Sequence, residues 1–480
     1  MNYRMVGYII GKLMRIEGIL LLLPLLVSLY YQENTWFAFL VPAILLVFLG
    51  SALAFRKPKN RTLYARDGFV IVALSWLIMS LFGALPFTIS GFIPNYVDAV
   101  FETVSGFTTT GASILSDVEA LSNGLLFWRS FTHWIGGMGI LVFALAVLPQ
   151  SSGSEMHLMR AEVPGPSVGK LVSKVRLTAR ILYGIYVAMT LIQVVLLVAG
   201  GMPLFDSVLH SFGTAGTGGF GVKNTSIAYY NSAYIDGVIS VFMLLFGINF
   251  NLFYFILTGN LLRALRSEEL KWYGIIVALA VSLITLNLIP QYNSIATAFR
   301  YAFFQVSSII TTTGYSTADF ATWPAFSQCI LLMLMMVGAC AGSTGGGLKV
   351  ARVVILGKLA RNEVRKIHQP RSVNIVRFEG ERVTSEMANA VMGYFVIYVL
   401  LLFGTTLLLS FEGYSFLTTF SAATTTINNI GPGLDAVGPT SNFADFSSFG
   451  KVLLSFNMLA GRLEIMPVLV LLSPSIWKRK

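Results

Sequence analysis

Val104-Ser-Gly-Phe-Thr-Thr-Thr-Gly111-Ala-Ser113 returns in altered form three more times along the chain. The other copies are Ser211-Phe-Gly-Thr-Ala-Gly-Thr-Gly-Gly219-Phe-Gly221, Ser307-Ser-Ile-Ile-Thr-Thr-Thr-Gly314-Tyr-Ser316 and Thr424-Thr-Thr-Ile-Asn-Asn-Ile-Gly431-Pro-Gly433. Aligned on Gly111, Gly219, Gly314 and Gly431, they agree well upstream. Six residues earlier stand Ser105, Gly213, Ser308 and Thr425, and twelve earlier stand Ala99, Ser207, Ala302 and Thr419, all small. Asp98 and Asp206 each fall thirteen residues before their glycine. Every copy opens with a semi-apolar run of roughly 10–16 residues, too short to cross a bilayer, which takes about 20. A long hydrophobic run follows each one. The unit is a span, a half-helix, a glycine turn and a second span, repeated four times.

The rest of the chain agrees with a membrane setting. Of 480 residues, 55% are hydrophobic and 11% charged, with a mean hydropathy of +0.73. A soluble domain carries about 25% charge, so a water-soluble globule is excluded. Disorder needs low hydrophobicity and is excluded too. The expected fold is an all-α polytopic membrane protein. Its spans are predicted at 9–29, 36–54, 69–89, 124–148, 181–199, 235–257, 272–289, 387–409 and 452–472. A tenth, 329–356, is interrupted by Gly338-Ala-Cys-Ala-Gly-Ser-Thr-Gly-Gly-Gly347. The first run is too long for a cleavable signal and reads as a span. Residues 1–66 are two extra helices. The four repeats then occupy 67–150, 151–262, 263–382 and 383–480.

Loop charge sets an orientation. With the N-terminus inside, all but Arg129, Lys223, Arg300 and Lys451 of the 33 basic residues fall on the cytoplasmic side, as positive-inside topology requires. Both termini are then cytoplasmic. The net charge of +11 follows from topology, and no nucleic-acid partner is expected. Cys329 and Cys340 are too few for a disulfide scaffold or a Cys-built zinc site. His133, His157, His210 and His368 share no ligand spacing, and His133 and His210 have no partner pattern for catalysis.

Physics suggests a purpose for the repeat. Non-helical backbone at membrane depth survives only when buried in protein or lining a watery cavity, so four such turns imply a shared polar axis. Glycine permits left-handed backbone and close approach. Carbonyls then point inward, and the hydroxyls of Thr109, Thr110, Thr312 and Thr313 add oxygens. Each half-helix ends at its turn with its negative dipole end on the axis. Such a site binds a dehydrated monovalent cation. The turns carry no carboxylate, which argues against a tight divalent site.

These four turns, together with Gly342-Ser-Thr-Gly-Gly-Gly347-Leu-Lys349 and Gly461-Arg462-Leu-Glu464, resemble the Trk/Ktr/HKT superfamily of potassium transporters, and within it the bacterial TrkH/TrkG membrane subunit. The resemblance covers nearly the whole chain. It implies a pseudo-fourfold pore whose selectivity filter is Thr109, Thr110 and Gly111; Thr217, Gly218 and Gly219; Thr312, Thr313 and Gly314; and Asn429, Ile430 and Gly431. Glycine at all four positions matches the potassium-type pattern. The second and fourth turns depart from Thr-Thr-Gly, so moderate discrimination of K⁺ from Rb⁺ or Na⁺ is expected.

The resemblance further implies that the 338–347 stretch is an intramembrane loop that blocks the pore and moves to open it. Five glycines in ten residues, each costing about 1 kcal/mol against alanine, exclude a helix interior. A phosphate-binding loop fails, because Leu348 stands where its lysine should be. The expected gating residues are Gly338, Gly342, Gly345, Gly346, Gly347, Lys349 and Arg462, with Lys349 closing the loop and marking the cytoplasmic exit. Arg462 is an intramembrane charge and so a functional candidate. Two roles fit it: hydrogen bonding to loop carbonyls to hold the gate shut, or a positive charge in the ion path.

The chain has no room for a nucleotide-binding domain. The family implication is a separate TrkA-like cytosolic nucleotide-binding subunit, with the basic segments 160–180 and 358–382 as docking candidates, and a homodimer in the bacterial cytoplasmic membrane. The transported ion is K⁺, with no bound cofactor. Alternatives are a Na⁺ or Na⁺/K⁺ transporter of the same fold and an H⁺-coupled K⁺ symporter. An intramembrane enzyme needs a nucleophile–base pair or paired carboxylates at depth, and the sequence offers neither.

Overall fold

The computed structural model describes residues 1–60, 63–139, 175–369 and 375–474. The 140–148 end of one expected span, the 160–174 part of one docking candidate, Arg61, Arg371 and Lys478-Arg-Lys480 lie outside these residues.

Six of the described helices are long and apolar enough to cross a membrane: Tyr3–Tyr30, Trp36–Leu53, Arg66–Ile89, Leu177–Ala199, Glu268–Tyr292 and Ser385–Glu412. Their outward faces are greasy. Phe48, Leu191, Val195, Leu279, Leu400 and Leu407 are all exposed, a surface suited to lipid. The first two helices pack on each other, and the first also packs on the helix that opens repeat one.

Each repeat then builds a short helix: Tyr96–Phe107, Leu204–Gly216, Ile295–Ile310 and Phe416–Asn428. At 1.5 Å per residue these run roughly 18–24 Å, less than the bilayer core of about 30 Å. Their starts are marked in the sequence. Side chains of Asn95, Ser294 and Ser415 accept from backbone N–H groups of the first turn, and Pro203 stands just ahead of Leu204. A second helix follows each turn: Asn123–Gly137, Ala233–Phe246, Ala325–Val337 and Ser448–Arg462.

The order of packing closes a circle. The second helix of repeat one lies against the short helix of repeat two, that of two against three, that of three against four, and that of four against one. Ion pairs reinforce two of these seams. Arg300 Nε donates to Asp236 Oδ2 at 2.7 Å, joining repeats three and two, and Lys451 Nζ donates to Asp98 Oδ1 at 2.7 Å, joining four and one.

The second helices differ from the expected uninterrupted spans. The helix expected over 124–148 stops at Gly137, followed by Gly139 at φ +85°. The one expected over 235–257 bends by 94° between Phe246 and Phe250. The one expected over 452–472 ends at Arg462 and restarts at Met466, after Glu464 and Ile465 take φ of +52° and +65°. So the break at 338–347 is not peculiar to repeat three. All four helices stop near the turns, and in repeats one and four the backbone of the short helix crowds the end. A Cβ on Gly461, for example, would sit 1.9 Å from the Ile427 carbonyl oxygen. Hydropathy registers only that these segments are apolar on both sides of the break.

Candidate functional site

Each short helix ends in the same backbone device. Thr110, Gly218, Thr313 and Ile430 donate their N–H to the carbonyls of Ser105, Gly213, Ser308 and Thr425 at 2.9, 2.8, 2.8 and 3.0 Å. The residue before each donor is left-handed: Thr109, Thr217, Thr312 and Asn429 have φ of 55°, 56°, 60° and 57°. This is the six-to-one helix stop that usually places glycine in the left-handed position. A threonine there is a steric outlier costing about 1–3 kcal/mol, so the fold retains three strained threonines where glycine would relax it. The next residue but one is the aligned glycine, again left-handed, at φ 81°, 73°, 87° and 94°.

The four glycines form a ring. A Cβ on Gly111 would lie 2.0 Å from the Gly218 carbonyl oxygen, one on Gly219 2.0 Å from that of Thr313, and one on Gly314 2.0 Å from that of Ile430. One on Gly431 would lie 2.8 Å from that of Thr110. Each turn therefore presses its glycine against the carbonyl preceding its neighbour's glycine, round a closed circle. Four equivalent carbonyl oxygens and four helix C-terminal ends converge there, a neutral oxygen donor set with partial negative charge. All four glycines also line one cavity of about 190 Å³, together with Ser113, Asn224 and Ser316. Among the described residues no group of three or more His, Cys, Asp or Glu is placed to hold a metal ion.

The threonine hydroxyls divide by level. Thr110 Oγ1 pairs with Thr108 Oγ1 and Thr313 Oγ1 with Thr311 Oγ1, both at 2.8 Å, so these two are engaged within their own turns. Asn429 Nδ2 donates to Thr110 Oγ1 at 2.9 Å, tying turn four to turn one. Thr217 and Thr312 reach the glycine-rich loop instead. Thr217 Oγ1 donates to the Thr344 carbonyl at 3.0 Å, and the Gly346 N–H donates to Thr312 Oγ1 at 2.7 Å. Thr109 Oγ1 is buried with no hydrogen-bond partner.

The loop thus lies directly against one end of the ring. A Cβ on Gly346 would stand 2.4 Å from the Asn428 carbonyl oxygen. The loop is also stitched to the bend in repeat two: Cys340 N–H to the Gly247 carbonyl, and Phe250 N–H to the Gly342 carbonyl, each 3.0 Å. Arg462 grips two elements at once. Its Nη1 donates to the Thr344 carbonyl at 2.7 Å, and its Nη2 to the carbonyls of Gly137, at 2.7 Å, and Gly136. Gly338, Gly342 and Gly347 carry positive φ inside the loop, whereas Gly345 and Gly346 provide close approach to Thr311 and Asn428. Lys349 folds back on the loop it closes. It is 8% exposed, and its ammonium donates back to the Gly345 carbonyl.

Several bracing residues escaped the sequence reading. Arg129 is buried, not a solvent-facing outer charge. Its Nε donates to Glu102 Oε1 at 2.6 Å and its Nη1 to the Gly221 carbonyl at 2.9 Å, and its guanidinium lies 3.6 Å from the Phe220 ring centroid. Glu102 accepts from Ser113 Oγ and Ile114 N–H, each at 3.0 Å. This pair braces the exit of turn one and the exit of turn two. His133 is structural: the Phe220 N–H donates to Nε2 at 3.3 Å, which leaves Nδ1 to donate to the Gly106 carbonyl at 2.7 Å. The Tyr315 hydroxyl, next to Gly314, donates to the His210 carbonyl at 3.1 Å. Arg129–Gly221, His133–Phe220 and Tyr315–His210 join different repeats, so no local spacing signals them.

Comparison with known proteins agrees with this architecture. The model of the TrkH family, described as cation transport proteins, matches residues 36–479. The Trk system potassium uptake protein TrkH of Salmonella typhimurium is 37% identical over the full length of both chains. The Trk system potassium uptake protein TrkG of Escherichia coli K12 is 34% identical, covering 99% of each. The crystal structure of the potassium transporter TrkH from Vibrio parahaemolyticus superposes with a TM-score of 0.90 at 34% identity, covering both chains completely.

Proposed function

The chain belongs to the TrkH family of cation transport proteins, and on that premise we propose that it takes up K⁺ through a filter made by the four glycine turns. The observation that carries this reading is the closed ring of carbonyl oxygens from Thr110, Gly218, Thr313 and Ile430 around the four glycines. Carbonyl rings replace the hydration shell of a monovalent cation, and a neutral donor set suits an ion that must leave as easily as it enters. Entry into a negative cell is favourable by about 2.3 kcal/mol per 100 mV, so uptake needs no other fuel.

The fold in this reading is two N-terminal helices, 1–66, followed by four helix–pore-helix–helix repeats at 67–150, 151–262, 263–382 and 383–480. The short helices are re-entrant, and the broken second helices complete the count of about ten spans. The protein sits in the bacterial inner membrane with both termini cytoplasmic, the side on which lysine and arginine collect. The 338–347 loop is the barrier on the inner side of the filter. Arg462 holds it there through Thr344 and also places a positive charge beside the ion path. The assembly is a homodimer regulated by a TrkA-like cytosolic nucleotide-binding subunit docked on the basic segments 160–180 and 358–382.

A second reading is passage of Na⁺ as well as K⁺, favoured by the departure of the second and fourth turns from Thr-Thr-Gly. The test is growth rescue of a K⁺-uptake-deficient bacterium at low K⁺, with and without each glycine changed to serine. Rescue that survives replacement of Gly111, Gly219 and Gly314 would remove the filter from the mechanism.

A further inference from the structure

Glu269 stands one residue inside the helix Glu268–Tyr292 and is 5% exposed. A carboxylate this buried needs partners. It finds them in the glycine-rich loop and at the start of the helix after it: Oε1 accepts from the Ala341 N–H at 2.7 Å and from the Ala351 N–H at 3.1 Å. Ala341 is in the first half of the loop, and Ala351 is in the first turn of Val350–His368, where backbone N–H groups have no partner within the helix. The loop is closed at its base as well, with the Val350 N–H donating to the Ala339 carbonyl at 3.0 Å. One carboxylate thus ties the loop to the start of the helix after it.

The same helix end is held from the other side. The antiparallel pair Arg377–Phe378 and Glu381–Arg382 forms a small hairpin whose turn contains Glu379. Glu379 Oε1 accepts from Ser267 Oγ at 2.8 Å and from the Glu269 N–H at 2.9 Å. The Glu379 N–H donates to Glu268 Oε2 at 3.3 Å in return. Lys358 donates to the Glu268 carboxylate and, at 2.7 Å, to the Arg377 carbonyl. A continuous run of polar contacts therefore leads from the hairpin, through the start of one helix, to the loop.

We propose that Glu269 is a positioning residue that clips the 338–347 loop and the start of the helix after it in the blocking position, and that the Arg377–Arg382 hairpin holds the clip through Glu379. This rests on the reading of the loop as the barrier. Displacing the hairpin loosens the clip without touching the filter, so conduction changes while ion discrimination does not. The coupling is between sites with direct contacts at each step, which is the physical form that such a link needs.

The test uses the full-length protein in proteoliposomes with Rb⁺ flux as the first readout. The second is reactivity of Cys340, which is buried in the loop, towards a thiol reagent in a Cys329→Ser background that removes the exposed cysteine. Glu269→Ala is expected to raise Rb⁺ flux roughly tenfold, the shift that losing about 1.4 kcal/mol of charge-assisted bonding brings. Cys340 labelling should accelerate in parallel, with the K⁺ to Na⁺ flux ratio unchanged. Glu269→Gln keeps an acceptor oxygen and is expected in between, a graded rescue that mere structural damage does not produce. Glu379→Ala should act in the same direction and carries the test if Glu269→Ala does not fold. If Arg462→Ala raises flux while Glu269→Ala and Glu379→Ala leave both readouts at the parent value, the clip is wrong. If Cys340 labelling rises with no rise in flux, the loop has moved without having been a barrier, and the gate reading itself fails.

Discussion

Gly219 and Thr313 belong to neighbouring repeats, and the Thr313 carbonyl oxygen stands 2.0 Å from where a Cβ on Gly219 would lie. No contact of that length exists between a real Cβ and an oxygen, so any side chain at Gly219 must displace the oxygen that the ring presents. The same relation holds for Gly111 with Gly218 and for Gly314 with Ile430. Ring geometry and glycine identity are therefore one constraint, enforced from the adjacent repeat.

The seams predict an order of tolerance. Gly111→Ala, Gly219→Ala and Gly314→Ala should each abolish growth rescue at low K⁺ or collapse the K⁺ to Na⁺ flux ratio. Gly431→Ala, with 2.8 Å of clearance, should keep a larger share of both. It still incurs roughly 1–2 kcal/mol for a left-handed alanine. Equal damage at all four positions would show that clearance does not control the outcome.

Arg462 donates to carbonyls of the loop and of the first repeat's second helix. Arg462→Ala removes those bonds and the charge together, and K⁺ flux in proteoliposomes should rise. Arg462→Lys keeps the charge but not the planar fork, and should fall between the two. Reduced flux through a well-folded Arg462→Ala protein would argue against a restraining role.

The Arg129–Glu102 pair is buried on both sides, with side chains 3% and 0% exposed. Breaking a buried pair from one side costs about 3–5 kcal/mol, because the survivor is left charged and alone. Arg129→Met and Glu102→Gln should therefore each lower the thermal unfolding temperature in detergent markedly, and the double variant by less than the two effects combined. Strict additivity of the single effects would mean that the pair does not act as a unit.

Tyr315 fits a notch at Gly213. A Cβ there would lie 2.1 Å from the Tyr315 hydroxyl oxygen and 3.1 Å from the ring carbon that bears it. Gly213→Ala alone should impair K⁺ discrimination by pushing the tyrosine, and with it turn three. Adding Tyr315→Phe removes the colliding oxygen and should restore part of it. A double variant no better than Gly213→Ala would show that the clash is not with the hydroxyl.

Much of the fold is legible in the chain because its signals are local. Twenty apolar residues in a row, a Thr-Gly turn after a capped half-helix, and basic residues in the connections each occupy one short window. The aligned glycines and the small residues six positions ahead of them were visible for the same reason. The six-to-one hydrogen bond of each turn now explains that spacing, as it joins the residue before the glycine to the small residue.

Residue order alone therefore reveals the membrane class, the fourfold unit, the four glycines and the oddity of Arg462 and the 338–347 stretch. That the turns meet in a circle and that all four second helices stop beside them follows from packing through space. The same holds for the positions of Arg129, His133 and Tyr315 behind the ring, and of Glu269 across the loop. These facts depend on which atoms face each other across tens to hundreds of residues, most of them from one repeat to another. Hydropathy and turn chemistry act along the chain, whereas carbonyl contacts and buried ion pairs act through space, and no pattern within one repeat encodes the partner that the next repeat will present.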